Sequence, residues 1–183
     1  PSAGSFGVAF LKYAADGTPL WANRDADGPA NAFLAHGQMR LDAVGNAYLA
    51  TLRLGSFSGY DVLVYKFDRN GRPLWPAPVT IDFPFNSDLV GLEVDPCGNA
   101  YVFGRTKSTF TSASGSIGED WDYDLYAAKV SNSGTLAWSY AWGSIQTDFV
   151  YAGCLAKNGT LYLTGKSEGP IDGSYGDNPG QEM

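Results

Sequence analysis

Tyr60-Asp61-Val62-Leu63-Val64-Tyr65-Lys66-Phe67, followed after a turn by Asn70-Gly71-Arg72-Pro73-Leu74-Trp75, is written three times in this chain. The first copy runs from Phe6-Gly7-Val8-Ala9-Phe10-Leu11-Lys12-Tyr13 to Asp16-Gly17-Thr18-Pro19-Leu20-Trp21. The third runs from Tyr123-Asp124-Leu125-Tyr126-Ala127-Ala128-Lys129-Val130 to Ser133-Gly134-Thr135-Leu136-Ala137-Trp138. Lysine, glycine and tryptophan keep one spacing in each. A second block recurs in phase: Val44-Gly45-Asn46-Ala47-Tyr48-Leu49, Cys97-Gly98-Asn99-Ala100-Tyr101-Val102 and Asn158-Gly159-Thr160-Leu161-Tyr162-Leu163. The tryptophans stand 54 residues apart (Trp21 to Trp75) and then 63 (Trp75 to Trp138), the mark of an array of one supersecondary unit. Residues 1–183 read as a single repeat domain, with repeats at about 6–59, 60–122 and 123–183.

Within a unit, 88–94 and 100–106 read as strands joined by a turn at 95–98, and 61–67 and 73–75 as strands joined at 68–71. Asn-Gly and Ser-Gly accept the positive φ that a tight hairpin demands, which a β-branched residue does not. Four hairpin-linked strands make a twisted antiparallel sheet with two faces to cover, and stacking such sheets around an axis covers both. The expected fold is all-β, with almost no helix: a β-propeller segment of about three four-stranded antiparallel blades. Three blades do not close a ring that takes about four to eight. The chain also opens on Pro1 rather than Met, so it reads as processed or cut from something longer. The first and last half-blades are expected to be completed by the rest of a longer polypeptide or by a second copy. Trp21, Trp75 and Trp138 are then wedges between blades, and Tyr48, Tyr101 and Tyr162 blade core with the hydroxyl at an edge. Gly17, Gly71 and Gly134 are the turn glycines beside them. Lys12, Lys66 and Lys129 must reach water or a partner, here expected at a blade edge or a carboxylate.

Composition fits this reading and excludes several function classes. Hydrophobic residues make up 44% and charged residues only 17%, and 23 glycines with 10 prolines suit short strands and many turns. A net charge of −7 with twelve scattered Lys and Arg argues against nucleic acid and against a membrane surface. No stretch has the roughly 18 consecutive apolar residues of a spanning helix.

The block Asp95-Pro96-Cys97-Gly98-Asn99-Ala100-Tyr101-Val102-Phe103-Gly104-Arg105-Thr106-Lys107-Ser108 resembles the Asp-x-x-Gly-Asn-x-Tyr-Val-x-Gly-x-Thr-x-Ser signature of SBBP repeats. Residues 123–140 are similar to the same family's Asp-x-Phe-Val-x-Lys-Leu…Gly-x-Leu-x-Trp-Ser segment. The likeness covers nearly the whole chain and departs from the pattern at Ala156-Lys157-Asn158 and over residues 24–37. It implies a seven-bladed, secreted or surface propeller without shared catalytic residues.

Chemistry has few anchors. The single histidine, His36, excludes a catalytic triad built by this chain alone, and Glu93, Glu119, Glu168 and Glu182 form no carboxylate pair at a glycosidase spacing, so no enzyme is expected. Asn23, Asp25, Asp27 and Asn31 space oxygens as a calcium loop does, although Leu34 stands where its bidentate Glu belongs. Glu119, Asp120, Asp122 and Asp124 crowd after a Ser/Thr/Gly-rich insert at 107–121, as a cation site or a solvated acidic rim. Calcium is thus the one candidate cofactor. Trp121 and Trp142 are candidates for a partner or glycan-stacking surface. Asn158-Gly159-Thr160 is a glycosylation acceptor at a hairpin tip, and Cys97 and Cys154 could form one bridge or none. The functional expectation is a non-catalytic extracellular or cell-surface module, a scaffold or protein-interaction unit in a larger surface or filamentous assembly. Its partners are other chains or the rest of its own polypeptide. The alternative is a lectin-like propeller that binds glycans.

Overall fold

Six turns built to one plan set the strand boundaries of this protein, whose computed structural model describes residues 9–24, 35–54, 59–82, 86–107, 110–112, 115–117, 122–144 and 146–168. In each, a glycine at φ between +79° and +88° (Gly17, Gly45, Gly71, Gly98, Gly134, Gly159) donates its N–H to the carbonyl three residues earlier. The N–H of that earlier residue in turn bonds the carbonyl just past the glycine. Where the first residue is Asp, its carboxylate adds a lock. Asp42 Oδ1 accepts the N–H groups of Val44 and Asn46, and Asp68 Oδ1 those of Asn70 and Arg72.

The strands so bounded are all antiparallel. β1 (Ala9–Tyr13) and β2 (Pro19–Arg24) form a two-stranded hairpin. β3 (Ala35–Leu41), β4 (Ala47–Leu54), β5 (Tyr60–Phe67) and β6 (Val79–Ile81) form a four-stranded meander in that order. β7 (Ser87–Val94), β8 (Ala100–Thr106), β11 (Asp124–Val130) and β12 (Leu136–Trp142) form a second, with a small hairpin of β9 (Phe110–Ser112) and β10 (Gly115–Ile117) inserted between β8 and β11. β13 (Asp148–Leu155) and β14 (Leu161–Ser167) form the last hairpin. Among the described residues there is no helix.

The sheets stack face to face in chain order. Tyr48, Leu52, Val62, Val64 and Trp75 of the first meander meet Leu89, Leu92, Val102, Tyr126 and Val130 of the second in the main core. Phe10 and Trp21 pack on the outer face of the first meander, against Leu63, Tyr65 and Phe67. Phe103 and Ala127 lead the corresponding cluster with Val150, Leu161 and Leu163 on the far side. Covered on both faces, β5 and β8 are buried almost throughout, whereas β1 buries only Phe10.

One strand falls elsewhere than expected. Residues 73–75 do not form a strand: Pro73 makes an isolated bridge to Phe67, the chain bends over 74–77, and pairing resumes at β6. Pro73, Pro76 and Pro78 remove the N–H groups a ladder needs there. The matching stretch without prolines runs straight through Trp138 as β12.

Candidate interaction site: the open half-sheets

The two meanders are fastened by a set of contacts that recurs in part at the neighbouring junctions. The Tyr48 hydroxyl donates to Gly98 O at 2.8 Å, in the first turn of the next sheet. Its ring meets Trp75 edge-on at 6.1 Å and carries the Lys66 ammonium at 4.9 Å. Trp75 Nε1 donates to Asn132 O at 3.1 Å in the second turn of that sheet, Lys66 Nζ donates to Asn132 Oδ1, and the indole lies flush on Gly134. Burial raises the Tyr48 hydroxyl pKa, helped by Asp42 and Asp95, and lowers that of the Lys66 ammonium despite Asp42. One junction earlier, Trp21 Nε1 and Lys12 Nζ both donate to Arg69 O, at 3.2 and 3.1 Å, with the indole on Gly71. Lys12 is exposed at its edge and donates to a carbonyl, whereas Lys66 is buried, donating to a side-chain amide oxygen over a tyrosine face rather than to the carboxylate expected of it. For Lys66, a neutral amide oxygen accepts the charge-assisted bond without adding a second buried ion.

At the two ends the set is incomplete. Tyr101 meets Trp138 edge-on at 6.1 Å with Lys129 over its ring at 4.9 Å, as in the junction before. No second turn of a following sheet receives Trp138 or Lys129 among the described residues. Tyr48 is 0% exposed but Tyr162, in the same place on β14, is 59% exposed, contrary to the expectation that all three tyrosines are core. It belongs to a hairpin with no sheet beyond it among the described residues. At the other end, Leu11 and Tyr13 on β1 lie open beside a groove of about 480 Å³ walled by Phe10, Trp21, Met39 and Leu41. Met39 is 49% exposed, while its counterpart Leu92 is fully buried beneath β3 and β4. Among the described residues β1 and β14 each hydrogen-bond a neighbour on one side only, although their counterparts β5, β11, β4 and β8 are paired on both.

The other sequence candidates fall as follows. Gly17 has open space where a Cβ would point. Trp142, at the end of β12, packs with Phe103 and Val150 and lies 6.0 Å from Tyr140. Asn158 is exposed in its turn, its Oδ1 accepting Thr160 N–H at 3.1 Å. Cys97 and Cys154 are exposed free thiols. Asn23 lies on β2 opposite Phe10, while Asp25, Asp27, Asn31, Glu119, Asp120 and Trp121 lie outside the described residues. Asp122 Oδ1 accepts the Thr147 hydroxyl at 3.3 Å, and Asp124 is buried, its pKa pushed up to about 7 by desolvation and then by Asp148 and Asp122. Among the described residues no three His, Cys, Asp or Glu side chains are grouped to hold a metal. Arg53 and Asp148, each bound up with a buried acid, escaped the sequence reading. Aligning the repeats by cross-strand position would have exposed the first of them. No protein-family model and no curated protein matches the chain.

Proposed function

We propose that this chain is a segment of an SBBP-type β-propeller, a non-catalytic extracellular module that serves as scaffold or protein-interaction unit in a larger surface or filamentous assembly. The two meanders are blades, and the terminal hairpins are halves of the blades on either side. The observation that supports this reading most is the repeated Tyr, Trp, Lys and Gly fastening, which stops at Trp138, Lys129 and Tyr162 where the next unit's turns are called for. Tyr48, Lys66, Trp75 and Gly134, all of types the repeat preserves, join the two meanders, which is the work of a scaffold. The register of the complete sheets says how a half is completed. Tyr48 faces Lys66 and Tyr101 faces Lys129, so a hairpin like β13–β14 added beside β1 sets its tyrosine against Lys12 and covers Met39 and Leu41. The partner is the remainder of a longer polypeptide, or a second copy.

Hydrogen exchange tests it by comparing the isolated chain with the chain in its native assembly. The amides of β1 and β14 are expected to exchange rapidly in the first and to be protected in the second. Equally rapid exchange in both refutes completion of the half-sheets, and the module reading with it.

A further inference from the structure

The first meander buries an acid together with its counter-charge. Asp61, at the start of β5, is 3% exposed, and Arg53, its cross-strand partner, meets its Oδ2 at 2.8 Å. The second meander repeats the acid without the cation. Asp124 occupies the place of Asp61 and is 1% exposed, but its cross-strand partner is Thr106, whose hydroxyl is engaged with Ser87 Oγ at 2.8 Å. Among the described residues neither carboxylate oxygen of Asp124 has a hydrogen-bond partner. A second fully buried acid, Asp148, borders the same Gly143-Ser144 peptide. Its Oδ2 accepts the Ser144 N–H, its Oδ1 has no partner, and a Cβ built on Gly143 would fall upon Asp124 Oδ1. Asp148 is fixed in place by its own N–H, which donates to Tyr123 O at 2.6 Å. Among the described residues, three acceptor oxygens on two buried acids thus lack any donor, a costly arrangement unless positive charge enters.

We propose that Asp124 and Asp148 bind a calcium ion, which holds in the second meander the place of the Arg53 guanidinium in the first. Hard oxygen donors select a hard cation, and calcium fills out its shell with backbone carbonyls and water without demanding a rigid cage. Asp122, two residues before Asp124, adds a further negative charge that favours entry.

The test titrates the chain with CaCl₂ and, separately, with TbCl₃. At a hundredfold excess of calcium over its Kd the melting temperature is expected to rise by roughly 5–10 °C. Terbium is expected to give emission sensitised by the neighbouring tyrosines, and calcium to displace it. D124N and D148N each lose both responses. An unchanged melting temperature at about 10 mM calcium, above the Kd range of extracellular calcium modules, together with no terbium emission from the unmodified chain, overturns the proposal whatever the variants do. So does a calcium response that survives undiminished in D124N.

Discussion

Replacing Gly134 by alanine separates two costs that the repeat architecture otherwise combines. Gly134 sits at φ +82°, and an added Cβ would lie 2.9 Å from the Trp75 ring. Gly45 sits at φ +87° in the equivalent kind of turn, and its nearest neighbour would be Arg69 Cβ at 3.9 Å. Backbone strain is common to both substitutions, about 1–2 kcal/mol. Only G134A must also move an indole that is 7% exposed, bonded through Nε1 to Asn132 O at 3.1 Å and braced by Tyr48. Overpacking of this kind costs about 1–3 kcal/mol. The expected loss is therefore about 2–5 kcal/mol for G134A against about 1–2 for G45A. Equilibrium urea unfolding, read from the midpoints at an unchanged m-value, measures the difference. If the two variants agree within about 0.5 kcal/mol, the indole is not pressed on the turn and the junction does not work as described.

Two further outcomes follow from the buried charges. R53M leaves Asp61 buried without its cation. Breaking such a pair costs about 3–5 kcal/mol when fully buried, reduced here to about 2–3 because the Arg53 side chain is 25% exposed. The double variant R53M/D61N is expected to recover most of the loss in the same unfolding assay, and failure to recover it refutes the pairing. Asp95 is partly desolvated, which alone would raise its pKa, but donors from Asn99 and Tyr101 outweigh this and hold it below the ordinary carboxylate value. A carboxyl depressed in the folded state stabilises above its unfolded pKa, and that contribution is lost as pH falls through the folded one. D95N should therefore flatten the acid limb of the stability curve below about pH 4 and leave its shape near neutrality unchanged. An acid limb as steep as that of the parent chain contradicts the assignment.

The turns were the most legible part of the chain, because Gly17, Gly71 and Gly134 stand where a positive φ is needed and the structure gives them one. Strands 61–67 and 100–106 were legible through their β-branched and aromatic runs, and β5 begins one residue earlier, at Tyr60. The replacement of 73–75 by β6 was not, since the lysine and tryptophan pattern persists there while three prolines decide the ladder. Nor was the exposure of Tyr162, because a residue pattern records which face a side chain takes and not whether another sheet covers it. The contrast between Arg53 and Thr106 was hidden for a further reason: both lie near strand ends, and only the cross-strand register shows that they face equivalent acids.

The carbonyl of Arg69 accepts both donors that the β1–β2 hairpin extends to the next sheet, yet its own turn is closed by Asp68 N–H to Arg72 O and Gly71 N–H to Asp68 O. Dependence between neighbours is therefore lopsided, like shingles on a roof. Fraying the hairpin leaves the turn intact, but loosening the turn strands an ammonium and an indole in the element before it. In a linear array coupled only through adjacent units, such polarity gives disorder a preferred direction of travel, from later sheets back toward earlier ones.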